Sequence, residues 1–241
     1  MNVYERIVEL LKEEPLLKDF VYVKSKSIFV KKVDNIHYIL DLYHVFTFNF
    51  WVNVYPTTDI RYDILHKWYE KFSFRTVRDQ RNSCTCGTGY WPQRLGLEEC
   101  YSFLYSEEDF DEVYPQLLQT VRCLIQETFP KFTSLKDYYD RVIAPVLTGE
   151  RDLPHNSADW VFEYLSATRI VAPDKYEDVK KVVMARAEEI IATGEPNMIQ
   201  YVGKWDEIFA YLESLDFSSG KAREPKTESK RKRKSKEKKD E

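Results

Sequence analysis

Phe46-Thr47-Phe48-Asn49-Phe50-Trp51-Val52-Asn53-Val54-Tyr55 alternates without a break between two sets of residues. Side chains along a β-strand point to opposite faces with a period of two. The stretch therefore reads as one strand, with Phe46, Phe48, Phe50, Val52 and Val54 facing a core and Thr47, Asn49, Trp51, Asn53 and Tyr55 on the other side. Upstream, Phe20–Val23, Ser27–Val33 and Ile36–Tyr43 are also rich in β-branched and aromatic residues. Only Lys24–Lys26, Asp34-Asn35 and His44-Val45 separate these runs. Breaks this short suit antiparallel hairpins, because a parallel crossover needs roughly a dozen residues or more.

Either side of this region the pattern is different. Val3, Ile7, Leu10 and Leu11 recur at helical spacing and predict a short helix that ends before Pro15. Downstream, Pro56-Thr57-Thr58-Asp59 reads as punctuation, with Thr58 or Asp59 capping a helix that carries Ile60, Ile64, Leu65, Trp68 and Phe72. Residues 73–107 show little periodicity, apart from a strand expected at Tyr101–Tyr105. From Asp109 the period becomes helical: Val113, Leu117, Leu118, Val121, Leu124 and Ile125 mark a helix that Pro130 stops. Further helices are expected at Leu135–Leu147, Ser157–Ile170, Asp174–Thr193 and Met198–Ser214, with Ser157 and Asp174 as caps.

Strands first and helices afterwards define an α+β fold: an antiparallel β-sheet of four to five strands packed by helices, followed by an all-helical C-terminal half. The expected division is an α+β domain over 1–130, a helical region packed on it over 131–217, and a disordered basic tail over 218–241. The expected core is led by Phe46, Phe48, Phe50, Val52, Leu117, Val121, Trp160 and Ile190.

Composition narrows the function. The chain has 7 glycines in 241 residues, which argues against a glycine-rich phosphate loop. Net charge is −4, but residues 221–241 carry +6, leaving about −10 on residues 1–220. Such a body repels nucleic-acid phosphates, and only the tail attracts them. No apolar run reaches the ~18–20 residues of a membrane span, and the N-terminus is charged and amphipathic rather than signal-like. Four cysteines without a signal read as reduced thiols, so a cytoplasmic location is expected.

Few residues suggest chemistry. Cys84-Thr85-Cys86 with Cys100 and Cys123 lacks the paired spacing of a structural zinc site, and Cys123 falls inside a helical pattern, so neither metal nor cofactor is expected. His37 and Asp41 share one face of a strand and His44 follows; a hydrolase or nuclease-type site would need these groups to converge. His66 and His155 read as isolated. Trp51, Asn53 and Tyr55 lie on the strand face opposite the apolar row, where aromatic and amide side chains suit a ligand or a protein partner. Lys230-Arg231-Lys232-Arg233-Lys234 suits weak, salt-sensitive, non-specific contact with a polyanion, as a tether for the acidic body. In a eukaryote the same string reads as a nuclear import signal.

Asp19-Phe20-Val21-Tyr22-Val23 through Val33, followed by Ile36–Leu42 and Phe46–Val54, resembles the opening of the phage- and prophage-associated family named domain of unknown function 4304. The resemblance covers about residues 5–130 and lies in a helix, a basic aromatic hairpin and a Phe-x-Val-Asn strand. The glycine-containing turn usual after the first helix is replaced here by Pro15–Asp19. The family implies no activity and supplies no catalytic residues. The function expected from the residues is that of a non-enzymatic binding protein.

Overall fold

The computed structural model describes residues 2–47, 51–87, 103–153, 158–217 and 223. They form an α+β fold with two compact units, each built from two stretches of chain: residues 1–63 with 81–151, and residues 64–80 with 152–241. Two short helices, α2 (Asp63–His66) and α3 (Val77–Asn82), lie where the chain passes from one unit to the other.

The first unit contains α1 (Val3–Lys12) and six strands: β1 (Val21–Val23), β2 (Ile28–Val33), β3 (Ile36–Thr47), β4 (Trp51–Tyr62), β5 (Cys86–Gly87) and β6 (Phe103–Tyr105). The sheet runs β1-β2-β3-β4-β5, with β6 also on β4, and all pairings are antiparallel. The β3–β4 ladder is its spine, in register from Ile36 opposite Tyr62 to Thr47 opposite Trp51. Tyr38, Leu40 and Leu42 of β3 and Val52, Val54, Thr58 and Ile60 of β4 are buried on one face.

Two helices cover that face. In α1, Tyr4, Ile7, Val8 and Leu11 form a buried stripe, and Asn2 with Glu5 closes a capping box. The Tyr4 ring stacks on His44 at 3.8 Å between centroids. In α4 (Phe110–Thr128), Leu117, Val121 and Leu124 are buried, and the helix packs on β4 and β6. Each such side chain contributes roughly 1.5–3 kcal/mol on burial. Two polar pairs lie in the layer: Thr58 Oγ1 is 3.1 Å from Thr128 Oγ1, and Arg122 holds the buried Glu14 carboxylate with two bonds of 3.0 and 2.8 Å.

After α4 the chain continues through α5 (Leu135–Tyr138), a π-helical turn (Tyr139–Ile143) and α6 (Ala144–Leu147). The single helix expected over 135–147 is thus one run with a widened middle. Pro145 supplies the cause, since it has no N–H to close onto residue 141 and its ring crowds that carbonyl. Arg151 takes up the Arg141 carbonyl instead, at 3.4 Å.

The second unit is helical: α7 (Asp159–Val171), α8 (Tyr176–Ala192), α9 (Pro196–Ile199) and α10 (Trp205–Ser214). Residues 158–168 are buried without interruption. Phe162 sits inside a ring of aromatics made by Trp68, Tyr69, Tyr201 and Trp205. Gly203, at φ +76°, splits the expected 198–214 helix into α9 and α10. Asp174 lies inside the turn Pro173–Lys175 rather than at a cap, and Ser157 lies outside the described residues.

The strand region departs from expectation in two places. Pro56–Asp59 is not a stop: β4 runs on to Tyr62, with Ile60 in the sheet. Proline is tolerated within a strand where it forfeits no ladder bond. On the side of β4 away from β3, β6 covers 52–54 and β5 covers 59–60. Residues 55–58 have no strand partner on that side among the described residues. His44-Val45 is likewise no break, because β3 continues to Thr47. Phe46 therefore belongs to β3 rather than to the strand of Val52 and Val54. Its register places it on the core face, opposite Val52, yet it is 60% exposed. At this end of the ladder the helical cover gives way to an open cleft lined by Phe46 itself. Phe48 and Phe50, also expected in the core, lie outside the described residues.

Candidate interaction surface

Register fixes the sheet's second face. His37, Ile39, Asp41, Tyr43 and Val45 of β3 stand opposite Arg61, Asp59, Thr57, Tyr55 and Asn53 of β4, and Leu104 of β6 stands beside Asn53. Trp51, Asn53 and Tyr55 thus share this face with His37 and Asp41. From the open end of the ladder inward, the face presents aromatic and apolar groups, then two carboxylates, then a charged cluster.

The aromatic end is open to solvent. Tyr43 is 52% exposed, Leu104 45%, Val45 40% and Trp51 37%. Asn53 and Tyr55 are half-buried. Tyr43 and Tyr55 are a direct cross-strand pair with ring centroids 5.8 Å apart, and the Asn53 amide donates to the Tyr55 hydroxyl at 2.8 Å. These contacts hold the exposed rings in fixed positions, so little ordering entropy remains to be lost when a partner arrives.

Asp41 and Asp59 come next, on a diagonal between adjacent strands: Asp41 opposes Thr57 and Asp59 opposes Ile39. Burial pushes the Asp41 carboxyl up to about 6, against a bond from the Tyr43 backbone. Burial does the same to Asp59, also to about 6, with repulsion from Asp41 adding to it and a bond with Cys84 opposing it. Gly87 makes this packing possible: a Cβ at that position would fall 2.2 Å from Asp59 Oδ1 and 2.4 Å from the Thr58 carbonyl oxygen, closer than any side chain allows.

The far end is a closed network. Arg61 Nε donates to Asp63 Oδ1 at 3.0 Å and Arg61 Nη1 to the Ser83 carbonyl at 2.6 Å, while His37 Nε2 lies 3.1 Å from Asp63 Oδ2. Burial lowers the His37 pKa, more than Asp63 restores it. Burial raises that of Asp63, but Arg61, His37 and Lys32 together hold it below the usual carboxylate range. His37 and Asp41 stand four residues apart on one strand, about 13 Å, and His44 faces the opposite side against Tyr4. These three do not converge.

Beside Trp51 the sheet ends in a cleft of about 760 Å³. Asn2 and Val3 at the start of α1 form one wall, Phe46, Trp51 and Val52 another, and Ser106 to Asp109 before α4 the third. Sequence reasoning missed this cleft, along with Leu104 and the role of Asp59. The signal the sequence carries is the carboxylate run Glu107, Glu108, Asp109, Asp111 and Glu112, far from the aromatic strand along the chain.

The second unit holds a polar group that sequence reading also missed. His66, expected to be isolated, is 2% exposed, with Tyr69 Oη 2.9 Å from its Nδ1 and Glu163 Oε1 3.7 Å from its Nε2. Asp159, one helical turn before Glu163, is ion-paired with Arg75. The i, i+4 spacing of Asp159 and Glu163 among the apolar residues that open α7 is the available signal.

Among the described residues no disulfide joins Cys84, Cys86 and Cys123, and no group of three or more metal-ligating side chains occurs. No helix among them is long and apolar enough to cross a membrane. Cys100, His155 and the basic run Lys230, Arg231, Lys232, Arg233 and Lys234 lie outside the described residues. Comparisons of the chain with family models, with curated proteins and with solved structures find no match to any of them.

Proposed function

We propose that this is a non-enzymatic binding protein that engages a protein partner through the open end of its sheet, on the face carrying Trp51, Asn53 and Tyr55. One observation carries the reading: Tyr43, Val45, Trp51 and Leu104, drawn from three strands, form a contiguous exposed patch around Asn53 and Tyr55. Rigid aromatic side chains with a satisfied amide beside them are the composition of interface hot spots. Isolated exposed apolar residues are ordinary on a protein surface; a contiguous patch of them marks an interaction site. A hydrolytic reading gains no comparable support, since His44 faces away from His37 and Asp41 and His37 is engaged with Asp63.

The test is selection of a displayed random-peptide library on the full chain. Selected peptides are expected to bind the wild type at least tenfold more tightly than a Trp51→Ala/Tyr55→Ala variant, a difference of about 1.4 kcal/mol. They should bind a Phe74→Ala control as well as the wild type, because Phe74 is an exposed ring that is no part of the sheet. Peptides indifferent to the Trp51 and Tyr55 substitutions, or no selection at all, would overturn the reading.

A further inference from the structure

We propose that the partner at this surface presents a basic segment, with one of its arginine or lysine side chains entering the cleft beside Trp51. The inference rests on the binding reading above and names the chemistry of the partner.

Charge decides which kind of group the cleft accepts. Two helix N-termini border it, those of α1 and α4, and each carries an effective charge of roughly +0.5. Against that total of about +1 stand three lining carboxylates, Glu107, Glu108 and Asp109. No lysine or arginine lines the cleft among the described residues. The nearby guanidinium of Arg6 is occupied, 3.1 Å from Asp111 and 3.8 Å above the Phe110 ring. The helix-end amides are partly occupied too. Asn2 Oδ1 accepts from the Glu5 N–H at 2.8 Å, and Ser106 Oγ from the Asp109 N–H at 3.2 Å. An anion would meet three negative charges and few free donors. A cation meets complementary charge.

The apolar part of the cleft sets the ligand's shape. Phe46 is 60% exposed and Trp51 37%, so ring surface is available to a cationic side chain, whose methylene stem covers apolar surface while its head reaches the carboxylates. Glu107 and Glu108 are exposed and form no ion pair among the described residues. Trp51 belongs both to the cleft and to the sheet-face patch, so a partner segment that contacts its ring at the end of the sheet borders both. This continuity favours a basic peptide segment over a free small cation.

The experiment titrates the full chain into fluorescein-labelled octapeptides, read by anisotropy in low salt: alternating Arg-Val, alternating Ser-Val and alternating Glu-Val. The Arg-Val peptide should bind most tightly. Its affinity should fall about tenfold in Glu107→Gln/Glu108→Gln, and should fall in Trp51→Ala. Glu107 and Glu108 are exposed, so the melting temperature of the double variant should match the wild type. Equal affinity of the Arg-Val peptide for wild type and Glu107→Gln/Glu108→Gln overturns the inference. If the Ser-Val peptide binds as tightly as Arg-Val and needs Trp51 and Tyr55, the basic partner is rejected and the binding surface stands. If no peptide depends on Trp51 or Tyr55, both fall together.

Discussion

Asp59→Asn should stabilise the protein near pH 7.5 by on the order of 2–3 kcal/mol and leave its stability unchanged near pH 3. The Asp59 carboxyl titrates at about 6 in the folded protein, against an ordinary value of 3.8, first because it is buried and then because Asp41 repels it. A shift of that size costs about 1.4 kcal/mol per unit. The direction follows from proton binding. Between the two values the folded state holds a proton that the unfolded chain has released, so stability is full below about 3.8, declines as pH rises through about 6, and is level above that. Asparagine has the same shape and no charge, so its advantage opens over the same interval. Asp41→Asn should behave similarly, because Asp41 is also raised to about 6. The two gains should sum to less than additive, since each carboxylate destabilises the other. Denaturation midpoints of the three variants and the wild type at both pH values provide the check; an Asp59→Asn gain that is the same at both would contradict the assignment.

Phe162→Ala should be the most damaging single change in the helical unit, with a loss of about 3–5 kcal/mol. Phe162 is fully buried, stacked on Tyr69 with centroids 4.8 Å apart and edge-on to Trp68 and Tyr201 at 5.7 and 5.4 Å. Large rigid neighbours close poorly around the lost ring, so most of the cavity persists. Phe162→Leu, which fills much of that volume, should lose clearly less. Hydrogen exchange of the α7 amides is the suitable measurement, because it reports opening of this unit without assuming that the whole chain unfolds in one step. Equal protection in Phe162→Ala and the wild type would show that the ring contributes nothing to the packing of α7.

Period-two alternation placed Val52 and Val54 in the core and Trp51, Asn53 and Tyr55 on the opposite face, and the coordinates agree. Helical spacing located α1, α4, α7 and α8. The turn position did not follow from the same pattern. Alternation of Phe46 through Tyr55 looks the same whether the chain runs straight or reverses within it, because antiparallel partners such as Phe46 and Val52 share a face. Pro56 misled for a related reason: a proline signals a stop unless the adjoining ladder is interrupted, and interruption is a property of the sheet, not of the residue. The exposure of Phe46 and the cleft beneath it depend on where two helices end in space. Residues 51 and 107 are distant in sequence, and only the antiparallel pairing of β4 with β6 brings their segments together. The same holds for Asp41 and Asp59, whose neighbourly repulsion arises from a register that no local pattern encodes.

The account stands on the β3–β4–β6 face being solvent-facing surface rather than covered core, and paired serine substitutions measure that most directly. Tyr43→Ser and Leu104→Ser should each shift stability by less than about 1 kcal/mol in chemical denaturation, the range for exposed positions and a single cross-strand contact. Leu40→Ala, on the opposite face of the same strand and fully buried, should cost about 2–5 kcal/mol. Losses at Tyr43 and Leu104 as large as at Leu40 would mean that this face is packed against something, and the binding surface proposed for it would not exist.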